Sequence, residues 1–407
     1  MKISVEGLWH LGLITAASLC SLNHKIIGYS KNDDEVKKIK KNELPIYEKN
    51  LNNYLKNGVK KKKINFTSNL KDIENCDVHW FCYDTPVNKK NIFLHDKIIN
   101  LIKNRILQLK KIKYFIISSQ LPVGTCQQIE NFLTKKKIKK NIIYIPENLR
   151  LGNAIDNFLN PDRIIVGCRN DYNFDIIKKI FKPRKKFKLI KVKTESAELI
   201  KHSINCYLAL SISFINEIDN ISNLVGAKSK EIELGLKTEK RIGPRAYLSP
   251  GGAFSGGTLE RDVRVLKNLS DKFKIKNQVI KNIIRSNETK KKFIFNYFKQ
   301  RQKKLNKKKI LIIGLSYKQN SSTTRLSLSL ELARWLKKKK INFYIHDPII
   351  KKLGNDLDNY FVKNLKKTMI KADYVIIFYP QSYYSKYSRI LSNKKKIKTL
   401  LYDPYYV

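Results

Sequence analysis

The stretch KISVEGLWHLGLITAASLCSLNHKIIGYSK at residues 2–31 decides the fold. Residues 2–6 are a short β-prone run, 7–12 a glycine turn, 13–22 an apolar helix and 25–29 a second strand, which together make a βαβ start. Gly7-Leu-Trp-His-Leu-Gly12 stands where a dinucleotide fold carries its glycine turn. That turn needs close approach of backbone N–H groups to a pyrophosphate and a helix N-terminus aimed at it. Gly7 and Gly12 fit, while Trp9 occupies the place of the second glycine. The second strand should end in an acid that accepts from a ribose 2′-hydroxyl. It ends instead in Ser30-Lys31, a weak acceptor followed by a cation that would suit a 2′-phosphate. The apolar run at 11–22 resembles the core of a signal peptide, but Glu6 and His10 interrupt it and no small-residue cleavage site follows. No other segment approaches a membrane span, so no membrane insertion is expected.

Outward from this start, runs at 77–82, 114–118 and 141–145 each end in a polar or Pro/Gly segment, as strands of a parallel sheet do where they open into ligand loops. Three loops should therefore converge on one edge: Asp84 to Pro86, Ser119 to Thr125 and Pro146 to Gly152. From 195 to about 227 apolar residues recur at helical spacing, without Gly or Pro before Gly226. So long a helix is expected to bridge domains or pair with a second subunit. After the Lys-rich stretch at 303–309 the α/β pattern restarts: a strand and turn at 310–314, a helix around 328–336, and a strand ending at His346 and Asp347.

With 407 residues the chain exceeds what one core usually holds. Its net charge of +49 is spread over short, scattered lysine runs rather than an Arg-rich patch. That distribution reads as compositional bias, and no specific nucleic-acid partner is expected. The six cysteines, Cys20, Cys76, Cys82, Cys126, Cys168 and Cys206, form no CxxC pair and no His/Cys cluster. They read as small buried residues in a reducing, cytoplasmic setting, with no metal site.

Several further segments, in order, resemble the UDP-glucose/GDP-mannose dehydrogenase family: LPIYEKNL (44–51), DTPV (84–87), SQLPVGT (119–125), PENLRLGNAIDNFLNPDRIIVG (146–167), AELIKHSINCYLALSISFINEID (197–219), RIGPRAYLSPGGAFSGGTLERDV (241–263) and IGLSYKQNSSTTRLSL (313–328). The resemblance implies an α/β chain with two Rossmann-like, doubly wound parallel-sheet domains joined by a long central helical dimerisation region. The expected boundaries are a dinucleotide-binding domain at 1–194, a helical dimerisation and substrate domain at 195–300, and a nucleotide-sugar-binding domain at 301–407. It also implies a UDP- or GDP-sugar substrate, NAD as cofactor with NADP left open by Ser30-Lys31, and a homodimer formed through the central helix.

Lys201 and Asn205 lie four apart and so share a helix face. The resemblance implies that they hold the reacting sugar and steady negative oxygen. It likewise implies that Asp262 assists proton transfer and that Glu147 is an acid suited to activating water. Counting back from Asp262 places Thr258 where the family has its catalytic cysteine, and an alcohol is a poor nucleophile without a strong base. Cys206, one residue past Asn205, is turned away by about 100° and reads as packing. Gln120 replaces a threonine, Asn148 a phenylalanine and Leu151 a second acid of the family pattern. Cofactor contacts are expected at Gly7, Trp9, Gly12, Ser30, Lys31, Thr85, Pro86, Ser119, Gln120 and Arg325. Substrate contacts are expected at Arg241, Ser249, Gly251, Gly252, Phe254 and Lys318. Two functions follow: a nucleotide-sugar dehydrogenase working without the thiol, or a non-catalytic nucleotide-sugar-binding relative.

Overall fold

A computed structural model of the chain describes residues 1–84, 94–150, 152–182, 187–254, 258–300, 302–316, 324, 327–378, 382–391 and 398–401. The chain divides into two compact units, residues 1–201 and 202–407.

The first unit runs β1 (Lys2–Glu6), α1 (His10–Ser21), β2 (Lys25–Tyr29), α2 (Asp33–Lys40), α3 (Leu51–Lys60), β3 (Ile64–Thr67), β4 (Val78–Phe81), α4 (His95–Gln108), β5 (Tyr114–Ile117), α5 (Thr125–Lys135), β6 (Asn141–Tyr144), α6 (Ala154–Leu159), β7 (Arg163–Gly167), α7 (Asp171–Phe181), β8 (Lys188–Val192) and the start of α8 (Thr194–Val225). Its strands lie in the order β3-β2-β1-β4-β5-β6-β7-β8. The central strands are apolar nearly throughout, as VHWF in β4 and YFII in β5, because helices cover both faces of the sheet. Separate clusters of buried residues, around Leu13 and Ile155 and around Ile102 and Ile129, fill the two sides. Helix α1 has no polar face because it packs against β1 and β2 on one side and α3 and α6 on the other. That explains the apolar run near the N-terminus without a membrane. The edge strand β8 exposes Lys188 and Lys191, which discourages further pairing.

The sheet is parallel except at one joint, where β6 and β7 meet antiparallel through the single pair Tyr144 and Gly167. The chain after β6 stays at the edge where that strand ends, and β7 runs back toward it. Gly167 also lets α8 pack closely on the end of β7, since a Cβ there would lie 2.7 Å from the Cβ of Ala197.

The second unit contains the rest of α8, then α9 (Ser229–Thr238), α10 (Leu259–Lys272), α11 (Gln278–Gln300), α12 (Gln302–Leu305), β9 (Ile310–Ile313), α13 (Leu328–Lys338), β10 (Phe343–His346), α14 (Leu365–Lys371), β11 (Tyr374–Ile377), α15 (Ser388–Leu391) and β12 (Lys398–Leu401). Its strands form a parallel sheet in the order β10-β9-β11-β12. A separate helical core joins Cys206 and Ala209 of α8 to Val263 and Leu266 of α10 and Ile283 of α11.

Candidate active site

In the first unit the strand order reverses between β1 and β4, and that switch point opens a ligand crevice beyond the strands' carboxyl ends. Gly7, directly after β1, has φ +98°, and a Cβ there would lie 2.8 Å from the carbonyl of Cys82. A Cβ on Gly12 would come within 2.1 Å of the Gly7 carbonyl oxygen. Strand, turn and helix thus meet backbone against backbone, which only glycine permits at both positions. No side chain caps α1 and no acid stands in its first turn, so its positive end is left to an anion. Trp9, in place of the middle glycine, stands out of the core at 41% exposed, with its ring edge-on to His10. These residues fit a dinucleotide diphosphate.

The crevice is braced from behind. Glu6, the last residue of β1, accepts hydrogen bonds from Arg105 Nε (3.0 Å), from Arg105 Nη2 (2.9 Å) and from the Tyr83 hydroxyl. His79 Nε2 lies 2.9 Å from the same carboxylate. Burial alone would raise the Glu6 carboxyl, but His79 and Arg105 outweigh it and hold it below the ordinary range. The Arg105 guanidinium also lies 4.7 Å from the ring centre of Tyr29, so one side chain of α4 ties together the ends of β1 and β2.

Two further carboxylates cap helices that follow ligand loops. Glu48 accepts the N–H groups of Gly152 (2.9 Å) and Ala154 (3.0 Å) and sits 2.9 Å from His10 Nε2. It therefore links the α1 turn to the loop that carries Glu147. Glu198 on α8 accepts from Gly124 (2.6 Å) and Cys126 (2.9 Å), fixing the 119–125 loop at the head of α5. The Ser119 hydroxyl accepts the Tyr83 N–H at 2.8 Å, and both Ser119 and Gln120 are buried. Sequence reading did not single out Glu48, Glu198 or Arg105 because the partners named here lie 38 to 106 residues away.

Glu147 accepts the Leu149 N–H at 2.6 Å with one carboxylate oxygen, and the other lies 3.8 Å from Lys201 Nζ. The Lys201 side chain is only 7% exposed. An ammonium and a carboxylate at this distance can hold an oxygen and pass a proton between them.

In the second unit Asp262 is fully buried, and among the described residues His202, Arg261 and Asn205 gather on it. His202 Nδ1 lies 3.1 Å from Oδ1, Arg261 Nε lies 3.3 Å from the same oxygen, and Asn205 Nδ2 donates to Oδ2. Burial would raise this carboxyl, but the His202 hydrogen bond, the Arg261 charge and the Asn205 hydrogen bond together hold it below its ordinary value. In this arrangement Asp262 is an ionised anchor that fixes the Asn205 carboxamide. Thr258 heads α10 one turn before Asp262, its hydroxyl makes no capping hydrogen bond, and its carbonyl accepts the Asp262 N–H at 3.2 Å.

The segment containing Ser249 to Phe254 is clamped by two amides. Asn216 accepts from Gly251 N–H and donates to the Gly252 carbonyl, both at 2.9 Å. Asn287 accepts from Phe254 N–H at 2.8 Å and donates to its carbonyl at 3.0 Å. The Ser249 hydroxyl donates to Glu233 and accepts from Lys237. Arg241, by contrast, stands at the surface with its side chain 87% exposed, paired with Glu239. Thr85, Pro86, Leu151, Lys318 and Arg325 fall outside the described residues. All six cysteines are buried and reduced. Burial pushes the Cys206 thiol up, and it packs in the helical core.

The fold and the anion-binding turn define an NAD-dependent dehydrogenase built on Rossmann-like domains. More particularly, residues 1–185 match the NAD binding domain of the UDP-glucose/GDP-mannose dehydrogenase family, residues 195–289 its central domain and residues 311–406 its UDP binding domain. The chain belongs to this family, NAD-dependent oxidoreductases that act on a CH–OH group of a nucleotide sugar. It is 30% identical to the UDP-glucose 6-dehydrogenase of Rickettsia typhi over 373 residues, 90% of this chain and 84% of that one. It is 27% identical to a UDP-glucose 6-dehydrogenase of Bacillus subtilis over 86% of this chain and 80% of that one. Its fold matches the UDP-glucose dehydrogenase of the archaeon Pyrobaculum islandicum with a TM-score of 0.87 and 22% identity, covering 100% of this chain and 94% of that one. Among the described residues no helix is long and apolar enough to cross a membrane.

Proposed function

We propose that this chain oxidises an alcohol of a UDP- or GDP-sugar by two electrons, without a covalent intermediate. UDP-glucose is the first substrate to try, given the names of its relatives. NAD, when bound, supplies the acceptor for the hydride. The alcohol proton passes to Glu147 and the Lys201 ammonium steadies the oxygen as negative charge develops, while the Asn205 carboxamide, one turn on along the same helix, is fixed by Asp262. The observation that carries this reading is the buried Lys201 ammonium 3.8 Å from Glu147, one turn before Asn205 on the same helix. Thr258 stands at the thiol's place and every cysteine is buried, which supports stopping at the aldehyde.

The functional regions we assign are a cofactor domain at 1–194, a helical dimerisation region at 195–300 and a nucleotide-sugar domain at 301–407. Helix α8 turns Tyr207, Leu210, Phe214, Ile221 and Leu224 outward along one face, an apolar stripe suited to a second copy of the chain. We place the enzyme in the cytoplasm, making activated sugars for surface polysaccharide.

The test is a panel of UDP- and GDP-sugars, counting reduced NAD per sugar consumed. One per sugar is expected. Two would indicate a second oxidation through the aldehyde hydrate. No turnover with any sugar, with a UDP-sugar still raising the melting temperature, would favour a binding protein that has lost activity, the reading to which Thr258 also points.

A further inference from the structure

The residues that end β2 include no acid, yet the fold delivers one there. The Ser30 hydroxyl donates to Oε2 of Glu35, which comes from the first turn of α2. Asn32 shapes that turn: its Oδ1 accepts the N–H groups of Asp34 (3.0 Å) and Glu35 (3.3 Å), while its own N–H donates to Ser30 Oγ at 3.2 Å. The Ser30 N–H donates to the Thr67 carbonyl at 3.2 Å, which pins the residue to β3. Tyr29 is in register with Glu6, so Ser30 and Gly7 each directly follow one of a pair of strand ends that lie about 4.8 Å apart across the sheet. A dinucleotide whose diphosphate sits at the head of α1 presents its adenosine ribose over that strand end.

The charges around this position discriminate between the two nicotinamide cofactors. A ribose bearing two free hydroxyls offers donors to a carboxylate. A 2′-phosphate would meet Glu35 and, in the same helical turn, Asp33 and Asp34. Lys31 and Lys38 are exposed, and Lys37 is already paired with Asp33 at 2.7 Å. Like charges held this close disfavour binding, whereas a charge-assisted hydrogen bond from the ribose favours it.

We infer that Glu35, held by Ser30, is the acceptor for the adenosine ribose and makes this chain select NAD over NADP. The inference rests on the cofactor reading of the first domain and is independent of whether the sugar is turned over.

The test is calorimetric titration of the full chain with NAD and with NADP, alongside melting of the unliganded variants. The native chain should bind NAD more tightly by about tenfold or more, and Glu35→Gln should shrink that ratio by about tenfold, the worth of one charge-assisted hydrogen bond. Glu35→Arg should reverse the preference. Ser30→Ala should have a smaller effect, because Asn32 still holds the turn. Glu35→Asp, the milder change should another variant misfold, should fall between the native chain and Glu35→Gln. An unchanged ratio in a folded Glu35→Gln, or a native preference for NADP, overturns the assignment. Binding of neither cofactor overturns it together with the cofactor reading. The expected ratios without sugar turnover would support the assignment and overturn only the proposed oxidation.

Discussion

The two units hold their ligand segments by different means. In the first, the crevice at the switch point is made of main chain: Gly7 against the Cys82 carbonyl, Gly12 against Gly7, and the uncapped head of α1. Side chains serve behind it, as the Glu48 and Glu198 carboxylates that cap neighbouring helices. In the second unit, side chains do the holding directly, with Asn216 and Asn287 clamping the 251–254 segment and Asp262 gathering His202, Arg261 and Asn205. A turn built of main chain and a helix end keeps its geometry with side chains such as Trp9 and Ser30 beside it. Where a side chain would be the reagent, its identity decides the chemistry, and position 258 carries a threonine hydroxyl at the head of α10.

That contrast can be broken at either end. Gly12→Val should be the most damaging change, since even the first added carbon would overlap the Gly7 carbonyl. We expect a loss of about 3 kcal/mol or more, read by denaturant unfolding, together with loss of NAD binding. Asp262→Ala should come close behind. It leaves His202, Arg261 and Asn205 without their shared anion, at about 3 kcal/mol by thermal or urea unfolding, and turnover should vanish with it.

His346 supplies a pH test in the second unit. Burial, with the Lys351 charge adding to it, pushes its imidazole down to about 4. The ring is therefore neutral in the fold and becomes protonated in the unfolded chain below about 6.5. A depressed folded value means that its contribution is complete above pH 6.5 and is lost as pH falls through about 4. We expect about 3 kcal/mol over that window, measured as the native chain minus His346→Asn in unfolding titrations.

Glu48→Gln probes the support behind the first crevice. It keeps one acceptor for the α6 cap but loses the charge beside His10, for about 1 kcal/mol of stability and a weaker hold on the Glu147 loop, visible as a fall in kcat at unchanged NAD affinity. The smallest change in stability, within about 0.5 kcal/mol, is expected for Thr258→Cys, which sits at a helix head with no hydrogen bond to lose. Its consequence is chemical: if the frame around position 258 is intact, the count of reduced NAD per sugar should rise from one toward two.

Much of this architecture was legible locally. The strand, turn and helix at 2–22, the strand at 25–29, the long helix through 201 and 205, and the restart at 310 appear where period and turn residues place them, within a few residues. Lys201, Asn205 and Asp262 emerge buried, as side chains facing away from bulk water should be. Three things were not legible. The reversal at β6 and β7 depends on where the chain after β6 is anchored. Arg241 stands in solvent although its segment resembles a substrate loop. The acid at the end of β2 comes from the next helix, so a search of the strand's own last residues misses it.

The sequence by itself determined the order of strands and helices, the glycine turn, the absence of a thiol at position 258 and the family likeness. These follow from backbone preferences and side-chain identity, which act within a few residues. Only the tertiary structure decided which carboxylates cap which helices, which amides clamp the 251–254 segment, that Asp262 is tied to three donors, and that Glu35 reaches Ser30. Those are choices among equivalent polar groups, and a hydrogen bond selects one only after packing has removed water and brought distant elements to within about 3 Å.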